Sequence, residues 1–96
     1  MISLDYLSAM NQAKKLDNVA EEYSSIISDI QRQLSEIEES WQGEASEALK
    51  NKLTEYLEKA KKTRSEINNT ATKIRRVAQA IKDADDAIAA AGGGRF

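Results

Sequence analysis

Apolar residues recur along this chain at alternating steps of three and four, without a slip in either half. A 3.5-residue repeat puts such residues on one stripe of an α-helix and predicts a left-handed supercoil against another helix. The chain contains no proline to interrupt a helix from about residue 4 to about residue 40. The stripe of this helix, which we call the first seam, consists of Leu16, Ala20, Tyr23, Ile27, Ile30, Leu34, Ile37 and Trp41.

The same repeat restarts in the second half of the chain and predicts a second helix over about residues 44–91. Thr63 and Thr70 interrupt its apolar pattern, which is tolerable because a helical threonine can bond a carbonyl one turn back. Three consecutive glycines from Gly92 onward cannot hold a helix, so we expect residues 92–96 to be a flexible tail. The second seam consists of Leu49, Leu53, Tyr56, Ala60, Thr63, Ile67, Thr70, Ile74, Val77, Ile81, Ala84 and Ile88.

A tight turn of Trp41, Gln42 and Gly43 separates the two repeats. Gly43 is the only glycine before the tail, and glycine adopts positive φ without a Cβ penalty. A turn this short makes the two helices antiparallel. The sequence therefore predicts an all-α fold, an antiparallel two-helix hairpin that forms a single domain over residues 1–91.

A second hairpin is the expected partner of this one, because two helices alone bury only one stripe each. Leu57, Ala71 and Ala78 lie beside the second seam. Leu7, Met10, Val19 and Ile26 lie beside the first seam, and we expect these four to form a dimer face that completes a four-helix bundle. The alternative is that they are ordinary surface aliphatics.

Composition argues against catalysis and against metal or cofactor binding. The chain has no histidine and no cysteine, so it lacks the commonest metal ligand, the usual general base and any thiolate. Glu36, Glu38 and Glu39 form a cluster that lies off the apolar stripe, and we interpret this cluster as a solvent-exposed helix face. No nucleophile–base pair or phosphate-binding loop is present. We therefore expect neither an enzyme nor a metal or cofactor site.

The charge distribution favours a protein partner over nucleic acid. Net charge is −2, whereas nucleic-acid binding calls for a basic surface. Residues 1–43 carry three basic and eight acidic side chains, and residues 44–96 carry eleven basic and eight acidic ones. Two such halves attract each other when they lie side by side.

The first residues, Met1 to Tyr6, lack the basic and apolar regions of a secretory signal peptide. No stretch approaches the ~18 apolar residues of a membrane span. We expect synthesis in the cytoplasm, with any export by another route.

Two heptad helices around Trp41-Gln42-Gly43, in a chain of about one hundred residues without cysteine or proline, resemble the WXG-100 family. These are the early secreted antigen-like substrates of type VII secretion. The resemblance covers nearly the whole chain. It implies a folded helical dimer, either a homodimer or a heterodimer with a related hairpin. It also implies recognition by a membrane-bound secretion ATPase and a secreted or cell-surface location.

A C-terminal export signal also belongs to the resemblance. Ile81, Asp85 and Ile88 match a hydrophobic-x3-Asp-x2-hydrophobic pattern, and the tyrosine of the mycobacterial signal is missing. Packing of Ile81 and Ile88 in the seam is the structural alternative. Two other functions fit the sequence: an adaptor for the helical N-terminal domain of a larger secreted toxin, and a cytosolic coiled-coil scaffold.

Overall fold

Two long helices form the protein in a computed structural model. The structure describes residues 2–40 and 43–92, with side chains from Asp5 onward in the first helix. Helix α1 spans Ile2–Ser40 and helix α2 spans Glu44–Ala91. They pack against each other as an antiparallel hairpin 77 Å long and about 15 Å across. The predicted all-α hairpin is confirmed.

Gly43 is the N-cap residue of α2 and has a backbone conformation that favours glycine. Its φ is 113° and its ψ is 179°. Its carbonyl accepts a hydrogen bond from the Glu47 amide at 3.1 Å and another from the Ser46 hydroxyl at 2.9 Å. At the other end of α2, the Gly92 amide donates to the Ile88 carbonyl at 3.2 Å. Trp41, Gln42 and residues 93–96 lie outside the described residues.

Small side chains line the contact between the helices. Ala13 and Ala71 are completely buried, one on each helix, and no larger side chain in the described part of the chain is buried to that degree. Because alanine adds little bulk, the two helix backbones can approach closely and larger side chains are displaced to the flanks. The buried residues are Ala13, Ala20 and Ile27 on α1 and Ser46, Leu57, Ala60, Ala71 and Ala78 on α2.

The first seam packs against α2 in part, and the fully buried Ala13 extends it beyond the predicted residues. Ala20 and Ile27 are buried, and Ile27 forms a core cluster with Leu57 and Ala60. Tyr23, Ile30 and Leu34 pack against that cluster and are half-buried. The line of Ala20 and Ile27 therefore faces α2 along the middle of α1, and Tyr23 and Ile30 lie at its edge.

Half of the second seam is confirmed and half was assigned one position off. Ala60 is buried and Leu53, Ile67 and Ile74 are half-buried, as predicted. Leu57, Ala71 and Ala78, predicted to lie beside the seam, are the residues that face α1. Tyr56 and Val77, predicted to lie in it, are more than half exposed, and Leu49, Thr70, Ile81 and Ile88 are exposed as well. Both stripes share the line of Leu53, Ala60, Ile67 and Ile74 and have the same heptad period, so spacing alone could not separate them. The buried stripe is the one with the smaller side chains.

Candidate interaction surface

One long side of the hairpin is polar and carries two polar contacts between the helices. The Arg75 guanidinium forms an ion pair with Asp17, and Arg64 Nη1 donates a hydrogen bond to Ser24 Oγ at 3.2 Å. Asp17 and Ser24 are four residues after the buried Ala13 and Ala20, which puts both on the same flank of α1. We call the side with these two contacts the polar side.

The opposite side is apolar and extends over both helices. Residues three positions after Ala13, Ala20 and Ile27 flank them away from Asp17, and they are Leu16, Tyr23 and Ile30. On α2, the residues immediately before the buried Leu57, Ala71 and Ala78 lie on this same side of the hairpin. This surface, which we call the apolar face, consists of Leu16, Val19, Tyr23, Ile26, Ile30 and Ile37 on α1 and Leu49, Tyr56, Thr63, Thr70 and Val77 on α2.

The apolar face is exposed to a degree that a single hairpin does not explain. Val77 is 58 % exposed, Tyr56 is 52 % exposed and Ile26 is 46 % exposed. Monomeric proteins rarely show a continuous apolar surface over their whole length, and such surfaces mark sites of protein contact. The signal that could have found it is the row of small residues Ala13, Ala20, Ala71 and Ala78, which identifies the contact between the helices.

The structure divides the predicted dimer face between the two sides. Val19 and Ile26 belong to the apolar face and are exposed. Met10, seven residues before Asp17, lies on the polar side, and Leu7 is one turn from Met10 on the same side. These four residues therefore do not form one surface, and only Val19 and Ile26 can pack against the same partner.

A pocket of about 440 Å³ opens at the end of the apolar face where α1 begins. Tyr6 and Ala9 line it from α1, with Ile74, Val77 and Ile81 from α2. Asp5, Lys73 and the buried Ala78 complete its lining, and nearly all of the pocket surface is apolar. Tyr6 is held there by its hydroxyl, which donates to Gln79 Oε1 at 3.1 Å, and Lys82 Nζ lies 5.7 Å from its ring centre.

The last turns of α2 extend past the start of α1. Tyr6 contacts Gln79 and Lys82, and α1 begins only four residues before Tyr6, whereas α2 continues beyond Lys82 to Ala91. Ile81 is 49 % exposed and Ile88 is 66 % exposed. Asp85 is exposed as well, so all three residues of the predicted export signal are accessible.

Most acidic residues of this end are engaged within the helix. Asp83 accepts a hydrogen bond from Gln79 and Asp86 accepts one from Lys82, each at 2.9 Å. The hydrogen bond to Asp86 and that residue's negative charge raise the pKa of Lys82. Asp85 has no ion pair or side-chain hydrogen bond among residues 5–40 and 43–92.

The residues that the structure describes contain no group of three or more acidic side chains able to hold a metal ion. Across the same residues, neither helix has a stretch apolar and long enough to cross a bilayer.

Comparison with known families identifies the hairpin. Residues 2–86 match the model of the WXG100 family, described as proteins of 100 residues with WXG. The chain belongs to the WXG100 family. This membership places it among small helical proteins associated with type VII secretion. No curated protein and no solved structure matches the chain. The WXG100 match ends at residue 86, so it includes Ile81 and Asp85 and stops before Ile88.

Proposed function

We propose that this protein is a type VII secretion substrate that is exported as a folded helical dimer and acts by protein–protein contact. The observation that carries the proposal is the apolar face, exposed along both helices of a WXG100 hairpin. Two hairpins that cover this face from each other complete a four-helix bundle, the smallest arrangement that buries such a stripe from both helices.

The projecting end of α2 is the part of the hairpin that we assign to recognition by the membrane-bound secretion ATPase. Ile81 and Ile88 lie on one stripe of this end, seven residues apart, and both are exposed. Asp85 lies between them and makes no ion pair with any described residue. A free carboxylate between two exposed aliphatic side chains offers a partner one charged and two apolar contacts.

Export is tested by a secretion assay in the native host. Deletion of the type VII ATPase should keep the protein inside the cells, while a protein exported with a cleaved signal peptide still reaches the medium. A cytoplasmic marker protein controls for lysis. Unchanged release of this protein without the ATPase would contradict the proposed function, whatever its oligomeric state.

A further inference from the structure

Two small side chains leave open the pocket at the start of α1. Ala9 of α1 and the buried Ala78 of α2 both line it, and Tyr6, one turn before Ala9, contacts Gln79 and Lys82 beside Ala78. Alanine does not fill the space that a larger side chain would occupy between the helices. The resulting volume of about 440 Å³ falls within the roughly 300–1,000 Å³ of small-molecule sites.

The pocket is elongated along α2. Its lining on this helix extends from Lys73 to Ile81, which is about 12 Å at a rise of about 1.5 Å per residue. Val77 and Ile81 are about half exposed, so this apolar lining is open to solvent. A straight hydrocarbon chain of about nine carbons has the same length, and each methylene that it buries there is removed from water.

One charged group of the lining has no counterpart in the hairpin. Lys73 lies at the end of the pocket nearer the turn and forms no ion pair within residues 5–40 and 43–92. Asp5, the other charged residue of the lining, lies in the first turn of α1, where the positive end of the helix dipole stabilises a carboxylate. The ammonium of Lys82 is engaged by Asp86. The charge that is available to a ligand is therefore the ammonium of Lys73, which favours an anion.

We propose that this pocket binds a free medium-chain fatty acid, with the carboxylate at the Lys73 ammonium and the hydrocarbon chain along Ala9, Val77 and Ile81. This site goes beyond the proposed function and meets it at one point. The dimer covers the apolar face, so a bound fatty acid and a partner hairpin exclude each other at the pocket.

Isothermal titration calorimetry with sodium decanoate, kept below the concentration at which it forms micelles, tests the site. The wild-type protein should bind decanoate saturably, with one molecule per chain. Decyltrimethylammonium has the same chain and the opposite charge, and it should bind about tenfold more weakly or worse. No saturable binding of decanoate would overturn the proposal. Tighter binding of the cation would also overturn it, because the charged end of the ligand would then belong to Asp5.

Two variants of the lining test the assigned contacts. Lys73→Gln should weaken decanoate binding about tenfold, the effect of losing one charge-assisted hydrogen bond. Lys59→Gln is the matched control, because Lys59 is an exposed lysine two heptads earlier on the same stripe of α2 and does not line the pocket. Ala9→Phe should fill the pocket and abolish binding, with circular dichroism verifying that the helices are retained. Equal affinities of Lys73→Gln and Lys59→Gln would contradict the site.

A membrane surface is the other source of anionic groups with hydrocarbon chains. Phosphatidylglycerol vesicles should not retain the protein in a flotation assay, because the pocket holds a single free chain. Retention on vesicles without binding of free decanoate would identify the lipid surface as the ligand and overturn the proposal.

Association of the hairpins gives a separate readout. Saturating decanoate should raise the dissociation constant of wild-type dimers in sedimentation equilibrium and should have less effect on Lys73→Gln. An unchanged dissociation constant with decanoate bound would contradict the exclusion. A protein that is monomeric at every concentration would instead contradict the dimer of the proposed function, while calorimetry would still measure the pocket.

Discussion

Arg75 and Asp17 form an ion pair that joins α2 to α1 on the polar side of the hairpin, although 58 residues separate them in sequence. It is the ion pair between the two helices within residues 5–40 and 43–92, where the other five lie within one helix. The attraction expected from an acidic first half and a more basic second half is thus concentrated at one contact.

Loss of this ion pair should cost little stability. Both side chains are more than a third exposed, and exposed pairs contribute about 0.2–1 kcal/mol. A double-mutant cycle with Asp17→Ala and Arg75→Ala, followed by urea unfolding, should give a coupling free energy in that range. The coupling should decrease in high salt. A coupling that is large and independent of salt would contradict this view of the contact.

Substitution of Gly43 should lower the free energy of unfolding because of the backbone conformation alone. With φ at 113° and ψ at 179°, any L-residue is strained by about 1–3 kcal/mol. A Cβ at this position would have nothing within 4 Å, so no steric clash adds to the effect. Gly43→Ala should therefore lower the free energy of unfolding by that amount. D-alanine at position 43, introduced by chemical synthesis, should restore it, and equal stabilities for the two alanines would contradict the assigned φ.

Ala71 tests the corrected position of the contact between the helices. It is fully buried against α1, so Ala71→Leu should force the helices apart and cost about 1–3 kcal/mol, as overpacking does. Ala80→Leu makes the same change at an exposed position of α2 and should be nearly neutral. Thermal unfolding of both variants measures the difference. Equal melting temperatures would mean that Ala71 does not face α1.

Ile26 and Leu7 should respond differently to a charge, although both are exposed aliphatics of α1. Ile26→Asp puts a carboxylate into the apolar face and should weaken dimers by about 2 kcal/mol or more, because the aspartate gains no partner there. Leu7→Asp lies on the polar side and should leave association unchanged. Sedimentation equilibrium over a range of concentrations gives both dissociation constants. Weakening by Leu7→Asp alone would move the interface to the polar side.

Substitution of Asp85 should affect export without lowering the stability of the protein. A carboxylate in the last turns of a helix is unfavourable by a few tenths of a kcal/mol, so Asp85→Ala should leave melting unchanged or slightly higher. If the secretion ATPase contacts it, the same change should reduce export. Asp83→Ala is the control, because the Asp83 carboxylate is engaged by Gln79 and should matter less for recognition. Normal export of Asp85→Ala would remove this residue from the signal.

Much of the fold follows from the sequence because helices are determined locally. Unbroken heptads without proline specify two helices, and one glycine between them specifies where the chain turns. Part of the first seam was also predictable: Ala20 and Ile27 are buried as expected, whereas Leu16 and Tyr23 lie on the apolar face.

Only the tertiary structure decided which stripe of α2 faces α1. The lines through Tyr56, Thr63 and Val77 and through Leu57, Ala71 and Ala78 have the same period, so both satisfy the helical pattern equally. The choice depends on the distance between two helix axes, which small residues at Ala13 and Ala71 allow to be short. That choice turns the larger side chains outward. The apolar face and its pocket thus exist only when both helices are packed together.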